Sequence, residues 1–407
     1  MNENLFATFR RAFPADPGLT FIERPDGSRL SYGEVLDRSG RVAWVLAQIG
    51  VRPGDRVAVQ VDKSAEAIVL YLGTLRSGAA FLPLNPSYTP SETRYFLADA
   101  EPTLLVCRPQ DEAAMRDLAR DVGVAQVETL GQRGEGRLAA LVSKAVSDET
   151  VVARSSDDLA AILYTSGTTG RSKGAMLTHG NLQSNAATLK DFWRFTAEDR
   201  LLHALPIFHS HGLFVAINVT LMAGGSLILL PRFDLDEFMR LLPRATAMMG
   251  VPTFYTRLLQ RADFTRDFAD HVRLFVSGSA PLSAETHREF AARTGKAILE
   301  RYGMTETNMN TSNPYEGDRI PGSVGLPLPG VEVRVTDPKT GALLPSGEIG
   351  MLEIRGPNVF KGYWRMPEKT KSEFREDGHF ISGDLGYIDG RGYVHISGRG
   401  KDLIISG

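Results

Sequence analysis

The chain has 407 residues, 43% of them hydrophobic and 23% charged, which at roughly 150 residues per domain is enough for two or three packed units. That balance excludes a disordered or collagen-like chain, and a net charge of -2 offers no general attraction to nucleic acid or anionic membrane. The single cysteine, Cys107, has no partner for an intramolecular disulfide and reads as a core residue.

The N-terminal MNENLFATFRRAF lacks the apolar core of a signal peptide. The longest stretch free of Asp, Glu, Lys and Arg runs over residues 201–231 and begins with His203, His209 and His211. Its apolar remainder, 214–230, is shorter than the ~20 residues of a membrane span and is interrupted by Asn218, Thr220 and Gly224-Gly225. A buried strand or helix segment is expected there, in a cytoplasmic protein with no membrane partner.

Apolar β-branched runs alternate with amphipathic stretches, the pattern of a parallel sheet flanked by helices. Residues 56–61 read as a strand, 64–76 as a helix with Ile68, Val69, Leu72 and Leu75 on one stripe, and 79–84 as a strand closing at Asn85-Pro86. A helix over 91–98 and a strand over 103–107 follow. Residues 109–158 are more polar and read as surface helices and loops, or as a soft boundary. A second α/β series starts with a strand at 159–164 and continues through 227–230, 247–251, 274–276 and 297–299. Beyond about residue 330, short alternating strands at 331–336, 350–355 and 392–396 suggest a small antiparallel β unit.

The strongest local signal is Tyr164-Thr165-Ser166-Gly167-Thr168-Thr169-Gly170-Arg171-Ser172-Lys173-Gly174. Small residues let backbone N–H groups curl around an anion, hydroxyls add donors, and Lys173 adds charge. A strand precedes it, and a helix starting near Thr178 follows. The spacing departs from the G-x-x-x-x-G-K-[ST] phosphate loop, because Ser172 lies five residues beyond Gly167 and Ala175 five beyond Gly170. The other reading of such a segment is a surface turn; its length and its mixture of hydroxyl, glycine and base favour a phosphate.

This segment resembles the signature of the adenylate-forming superfamily, which comprises acyl-CoA synthetases, luciferases and peptide-synthetase adenylation domains. Other segments match that family in order: Gly78-Ala79-Ala80 to Asn85-Pro86, Leu205-Pro206-Ile207-Phe208-His209, Ser277-Gly278-Ser279-Ala280-Pro281-Leu282, Tyr302-Gly303-Met304-Thr305-Glu306, Ser382-Gly383-Asp384-Leu385-Gly386 and Gly398-Arg399-Gly400-Lys401-Asp402. The resemblance implies two doubly wound α/β subdomains, at 1–157 and 158–330, and a small antiparallel β-barrel subdomain at 331–400. Residues 401–407 would be a hinge stub pivoting on Lys401 or Asp402, with a C-terminal mobile domain absent. A fragment of that kind is expected to bind ATP–Mg²⁺ and the acid yet turn over poorly; CoA-dependent turnover at an intact homologue's rate would contradict this.

The family's reaction, also implied by the resemblance, joins a carboxylate to the α-phosphorus of ATP, releases pyrophosphate and passes the acyl group to coenzyme A. Two anions must meet, so fixed donors and cations matter more than acid–base groups. Thr165, Ser166, Gly167, Thr168, Thr169 and Lys173 would hold the β- and γ-phosphates, with Thr305 at the α-phosphate. Glu306, with Thr165, would ligate Mg²⁺, a hard cation suited to oxygen ligands. Asp384 and Arg399 would hold the ribose, while Ser279, Ala280, Pro281, Glu300, Tyr302, Gly303 and Met304 would line the nucleotide side.

His209 and His211 form an H-x-H pair, but zinc wants three or four ligands and no cysteine is near. The resemblance places His209 beside the acyl group and phosphate, and His211 reads as pocket wall. The acyl pocket would use Ile207, His209, Ser277, Ser279, Arg301 and Met304. Arg301 stands where the family often has a small or apolar residue. It is either exposed, paired with Glu300, or turned into the site, where a second carboxylate would match its planar fork. That arrangement is similar to malonyl-CoA and methylmalonyl-CoA synthetases, and the expected substrate is a short dicarboxylic acid. Two alternatives remain: a ligase for a medium-chain, aromatic or other acid, and a nucleotide-binding module without catalysis. Oligomeric state is not readable from the sequence.

Overall fold

The computed structural model describes residues 2–165 and 171–400, whose strands form three sheets. In the six-stranded sheet, Gln126–Thr129, Leu104–Cys107, Arg56–Gln60, Ala80–Pro83 and Leu159–Thr165 run parallel in that order, and Lys173–Thr178 closes the edge antiparallel to Leu159–Thr165. Continuous apolar runs such as Leu104–Cys107 are buried on both faces, as parallel strands covered by helices require. The helix Ala65–Arg76 begins where the Ser64 side chain accepts the Ala67 N–H, and every residue but Glu66 is buried.

The nine-stranded sheet is parallel from Leu299–Met304 through Leu274–Ser277, Ala247–Gly250, Arg200–His203 and Ser226–Leu229 to Thr20–Glu23, with antiparallel strands at both edges. The first strands of the chain, Thr20–Glu23 and Arg29–Ser31, thus lie in this sheet, while the segment from Arg56 to Thr129 builds the other. The apolar stretch after His211 becomes the buried helical segment His211–Ile217, the helix Asn218–Ala223 and, past Gly224, the strand Ser226–Leu229. Glu332–Thr336, Gly350–Arg355, Phe380–Ile388 and Val394–Arg399 form a four-stranded antiparallel sheet. Among the described residues no helix is long and apolar enough to cross a membrane.

The helix expected near Thr178 is His179–Phe192, which Thr178 caps with a reciprocal Asn181 bond. The strand Lys173–Thr178 that leads into it was not read from the sequence. The strand expected at 297–299 instead spans Leu299–Met304; its polar half hid it.

The strand Asn308–Ser312 was invisible for a related reason, being fully buried yet almost wholly polar. Tertiary partners make that tolerable: Thr311 Oγ1 donates to the Val324 carbonyl at 2.8 Å, Asn310 Oδ1 accepts from Asn358 Nδ2 at 3.1 Å, and Ser312 Oγ accepts the Trp193 indole N–H at 2.9 Å.

Candidate active site

Sheet register places candidate residues side by side. Thr165 pairs with Lys173 at the open end of the six-stranded sheet, and Asp384 pairs with Arg399 in the antiparallel sheet. Leu299–Met304 brings Arg301 toward them, with Thr305 and Glu306 just beyond. These ends enclose a cavity of about 600 Å³ lined by Thr165, Lys173, His209, Ser279, Arg301, Gly303, Met304, Thr305, Glu306 and Arg399.

Arg301 is 3% exposed, and its Nε and Nη2 have no hydrogen-bond partner among the described residues. Strand alternation sends the neighbouring Glu300 to the opposite face, where a carboxylate oxygen lies 3.3 Å from His287 Nδ1. The pairing of Arg301 with Glu300 is thereby excluded, and so is an exposed Arg301. Burial pushes the guanidinium pKa down to about 9, with the Tyr255 phenol opposing the shift. The group thus stays cationic at neutral pH. Its seat exists because residue 278 is glycine: a Cβ there would stand 2.4 Å from the guanidinium carbon.

Glu306 is equally enclosed, at 6% exposure. Its Oε1 lies 3.0 Å from the Tyr363 hydroxyl oxygen and 3.5 Å from Thr165 Oγ1. Burial raises its pKa, opposed by the Tyr363 hydrogen bond and Lys173. A buried carboxylate with only neutral donors in contact, beside a threonine hydroxyl, suits a hard dication that would also bind phosphate oxygens. Among the described residues no group of three or more His, Cys, Asp or Glu could hold a metal by itself, so phosphate and water would complete such a shell.

Asp384 Oδ1 forms an ion pair with Arg399 at 3.0 Å from Nε, and Oδ2 accepts from the Tyr302 hydroxyl at 2.5 Å. Each oxygen keeps a lone pair for a further donor. Burial raises the Asp384 pKa against the effect of those two groups.

Other candidates lie apart from the cavity lining. Ile207 faces a second cavity of about 920 Å³, on the far side of the 205–209 segment, with Pro206 in both walls. Ser277 is buried, with its Oγ unpartnered among the described residues, while Ala280 and Pro281 are exposed. His203 Nε2 lies 2.8 Å from the Gly212 carbonyl and His211 Nδ1 lies 3.1 Å from Ser279 Oγ, so these imidazoles brace the loop that carries His209. Ser166, Gly167, Thr168, Thr169, Lys401 and Asp402 fall outside the described residues.

The sequence reading missed Tyr363, Lys369 and Glu373. All three line the cavity, and Glu373 Oε1 is 3.3 Å from Lys173 Nζ and 2.5 Å from Lys369 Nζ. The one available signal was a run of charge after Pro367, which reads equally well as a solvated surface helix.

A family model described as AMP-binding enzyme matches residues 8–364. The chain is 33% identical to a malonate–CoA ligase of Arabidopsis thaliana, over 92% of this chain and 67% of that protein. The crystal structure of ATP-bound MatB from Rhodopseudomonas palustris is 62% identical, with a TM-score of 0.97 covering 100% of this chain and 80% of that one. A malonyl-CoA ligase solved as a ternary product complex with methylmalonyl-CoA and AMP is 35% identical, with a TM-score of 0.82 over 97% of this chain and 81% of that one. With the match spanning most of its length and the fold shared throughout, the chain belongs to the AMP-binding enzyme family, the adenylate-forming superfamily that its motifs resemble.

Proposed function

We propose that this protein is an AMP-forming acid–CoA ligase that activates malonate or methylmalonate. A carboxylate oxygen of the diacid attacks the α-phosphorus of ATP and pyrophosphate leaves with the broken P–O bond. The thiol of coenzyme A then displaces AMP from the acyl carbon, giving the thioester. The observation that carries the substrate assignment is Arg301, a buried guanidinium with two unpartnered nitrogens at the cavity wall. An alkyl acid would leave that charge uncompensated, whereas a second carboxylate meets it with charge-assisted bonds. The kinship with malonate–CoA ligases supports the same reading.

In this reading Lys173 and the 165–169 segment hold the β- and γ-phosphates, Thr305 faces the α-phosphate, and Asp384 with Arg399 receives the ribose hydroxyls. Ser279, Tyr302 and Gly303 border the nucleoside, whereas Glu300, turned to the opposite face, and the exposed Ala280 and Pro281 stand apart from it. Glu306 and Thr165 are the residues that would hold Mg²⁺, which when bound offsets phosphate charge. His209, Ser279 and Met304 shape the acyl end, with Arg301 on the distal carboxylate; Ile207 and Ser277 lie outside that cavity. The convergence of Lys173, Thr165, Glu306 and Arg399 on one cavity argues against a module that binds nucleotide without catalysis.

A panel of malonate, methylmalonate, butyrate and benzoate in a pyrophosphate-release assay tests the proposal. One of the two diacids should exceed butyrate in kcat/KM by about a hundredfold or more; parity of both diacids with butyrate would remove it. The Gly278 seat allows a subtler check. Gly278→Ala should displace the guanidinium and raise KM for malonate by about tenfold, the equivalent of one hydrogen bond, and more than it raises KM for ATP. An unchanged malonate KM would show that the seat is dispensable.

A further inference from the structure

Lys173 already has an anion. Its Nζ lies 3.3 Å from Glu373 Oε1 and 4.0 Å from the centre of the Tyr363 ring, and its side chain is only 10% exposed. Glu373 stands just past the short helix Pro367–Ser372, at the end where the backbone's own partial charge disfavours a carboxylate. Three groups keep it there. Lys369 Nζ is 2.5 Å from Oε1, the Tyr363 hydroxyl, whose one proton can go to Glu306 or to Glu373, lies 2.9 Å from Oε2, and Lys173 completes the set. All four side chains line the cavity assigned above to ATP.

We propose that Glu373 is an internal stand-in for the terminal phosphates: it holds Lys173 when the site is empty, yields it to the incoming triphosphate, and recaptures it as pyrophosphate leaves. This rests on the reading of the cavity as a triphosphate site. The handover is physically cheap because Glu373 never loses its last cation. When Lys173 turns to phosphate, Lys369 stays paired with the carboxylate, so no partly buried charge is stranded. Lys173 is likewise never left without an anion in a confined space. Competition for one lysine weakens the grip on pyrophosphate, a product that a pocket rich in fixed donors would otherwise retain.

The test is a calorimetric titration of sodium pyrophosphate, and separately of ATP, into the chain and two variants. Glu373→Gln removes the competitor but keeps shape and hydrogen bonding. It should bind pyrophosphate about tenfold more tightly, because a negative charge a few ångströms from the ligand has been deleted. Lys369→Met removes the cation that shares Glu373 and should weaken pyrophosphate binding severalfold, because the carboxylate then holds Lys173 more firmly. A merely structural role would weaken binding in both variants. Unchanged or weaker pyrophosphate binding by Glu373→Gln overturns the proposal. Should that variant not fold, unchanged or tighter binding by Lys369→Met overturns it. Failure of the unsubstituted chain to bind either ligand would instead remove the triphosphate reading itself.

Discussion

Replacing Arg301 with leucine should lower kcat/KM for malonate by about two to four orders of magnitude while leaving butyrate unchanged or improved. The range follows from two charge-assisted hydrogen bonds at ~1.5–3 kcal/mol each, with 1.36 kcal/mol corresponding to a tenfold change in rate. The sign for butyrate follows from burial. The guanidinium at 3% exposure has no carboxylate of its own among the described residues, so an alkyl chain packed against it leaves a desolvated charge unanswered. Leucine removes that penalty for the monoacid and the attraction for the diacid together. Pyrophosphate release with both acids measures the switch. A variant that still prefers malonate by the original factor defeats the assignment of Arg301 to the distal carboxylate.

The second large effect concerns acid. His179 is fully buried, and its Nδ1 accepts the Leu5 N–H at 3.0 Å, tying the N-terminal helix to the second α/β layer. Burial, aided by Arg154, pushes its pKa down to about 4. His203, 1% exposed, is pushed down to about 3 by burial and by Lys63. In the unfolded chain both titrate near the ordinary ~6.5. Between that value and the folded pKa the unfolded state binds more protons, so unfolding free energy falls as pH falls. The loss begins near pH 6.5 and continues until each folded imidazole itself takes up a proton, near 4 for His179 and near 3 for His203.

At ~1.4 kcal/mol per pH unit per group, these two residues remove on the order of 7 kcal/mol by pH 4, a large share of a typical ~5–15 kcal/mol stability. Urea denaturation at pH 7, 5.5 and 4 should show steadily falling midpoints. His179→Asn, whose side-chain oxygen can accept the same N–H without titrating, should flatten its part of that slope. A flat profile in the unsubstituted chain would mean that both histidines titrate normally.

Much of this architecture was legible locally. The apolar runs at Arg56–Gln60, Leu104–Cys107 and Leu159–Thr165 became parallel strands because burial on both faces selects uninterrupted hydrophobicity, a property visible within one segment. The ordered motifs likewise announced the family, since each is a short run of particular residue types that can be read without the fold. The strand Lys173–Thr178 escaped because a hairpin edge is stabilised by its pairing with Leu159–Thr165, which its own sequence does not display. Asn308–Ser312 escaped because polar side chains become strand-compatible only once distant donors and acceptors meet them.

For this protein, the order of residues alone determined the chemistry on offer: a segment rich in hydroxyls and glycine, a carboxylate at Glu306, an aspartate and an arginine in glycine-rich turns, and an arginine in an unusual place. Folding decided what each could do. Alternation along Leu299–Met304 parted Arg301 from Glu300 and left its charge unanswered in the cavity. Chain closure brought Glu373 against Lys173 across 200 positions. Residue type is a property of one position, but whether a charge is satisfied depends on everything packed around it, and only the assembled core sets that.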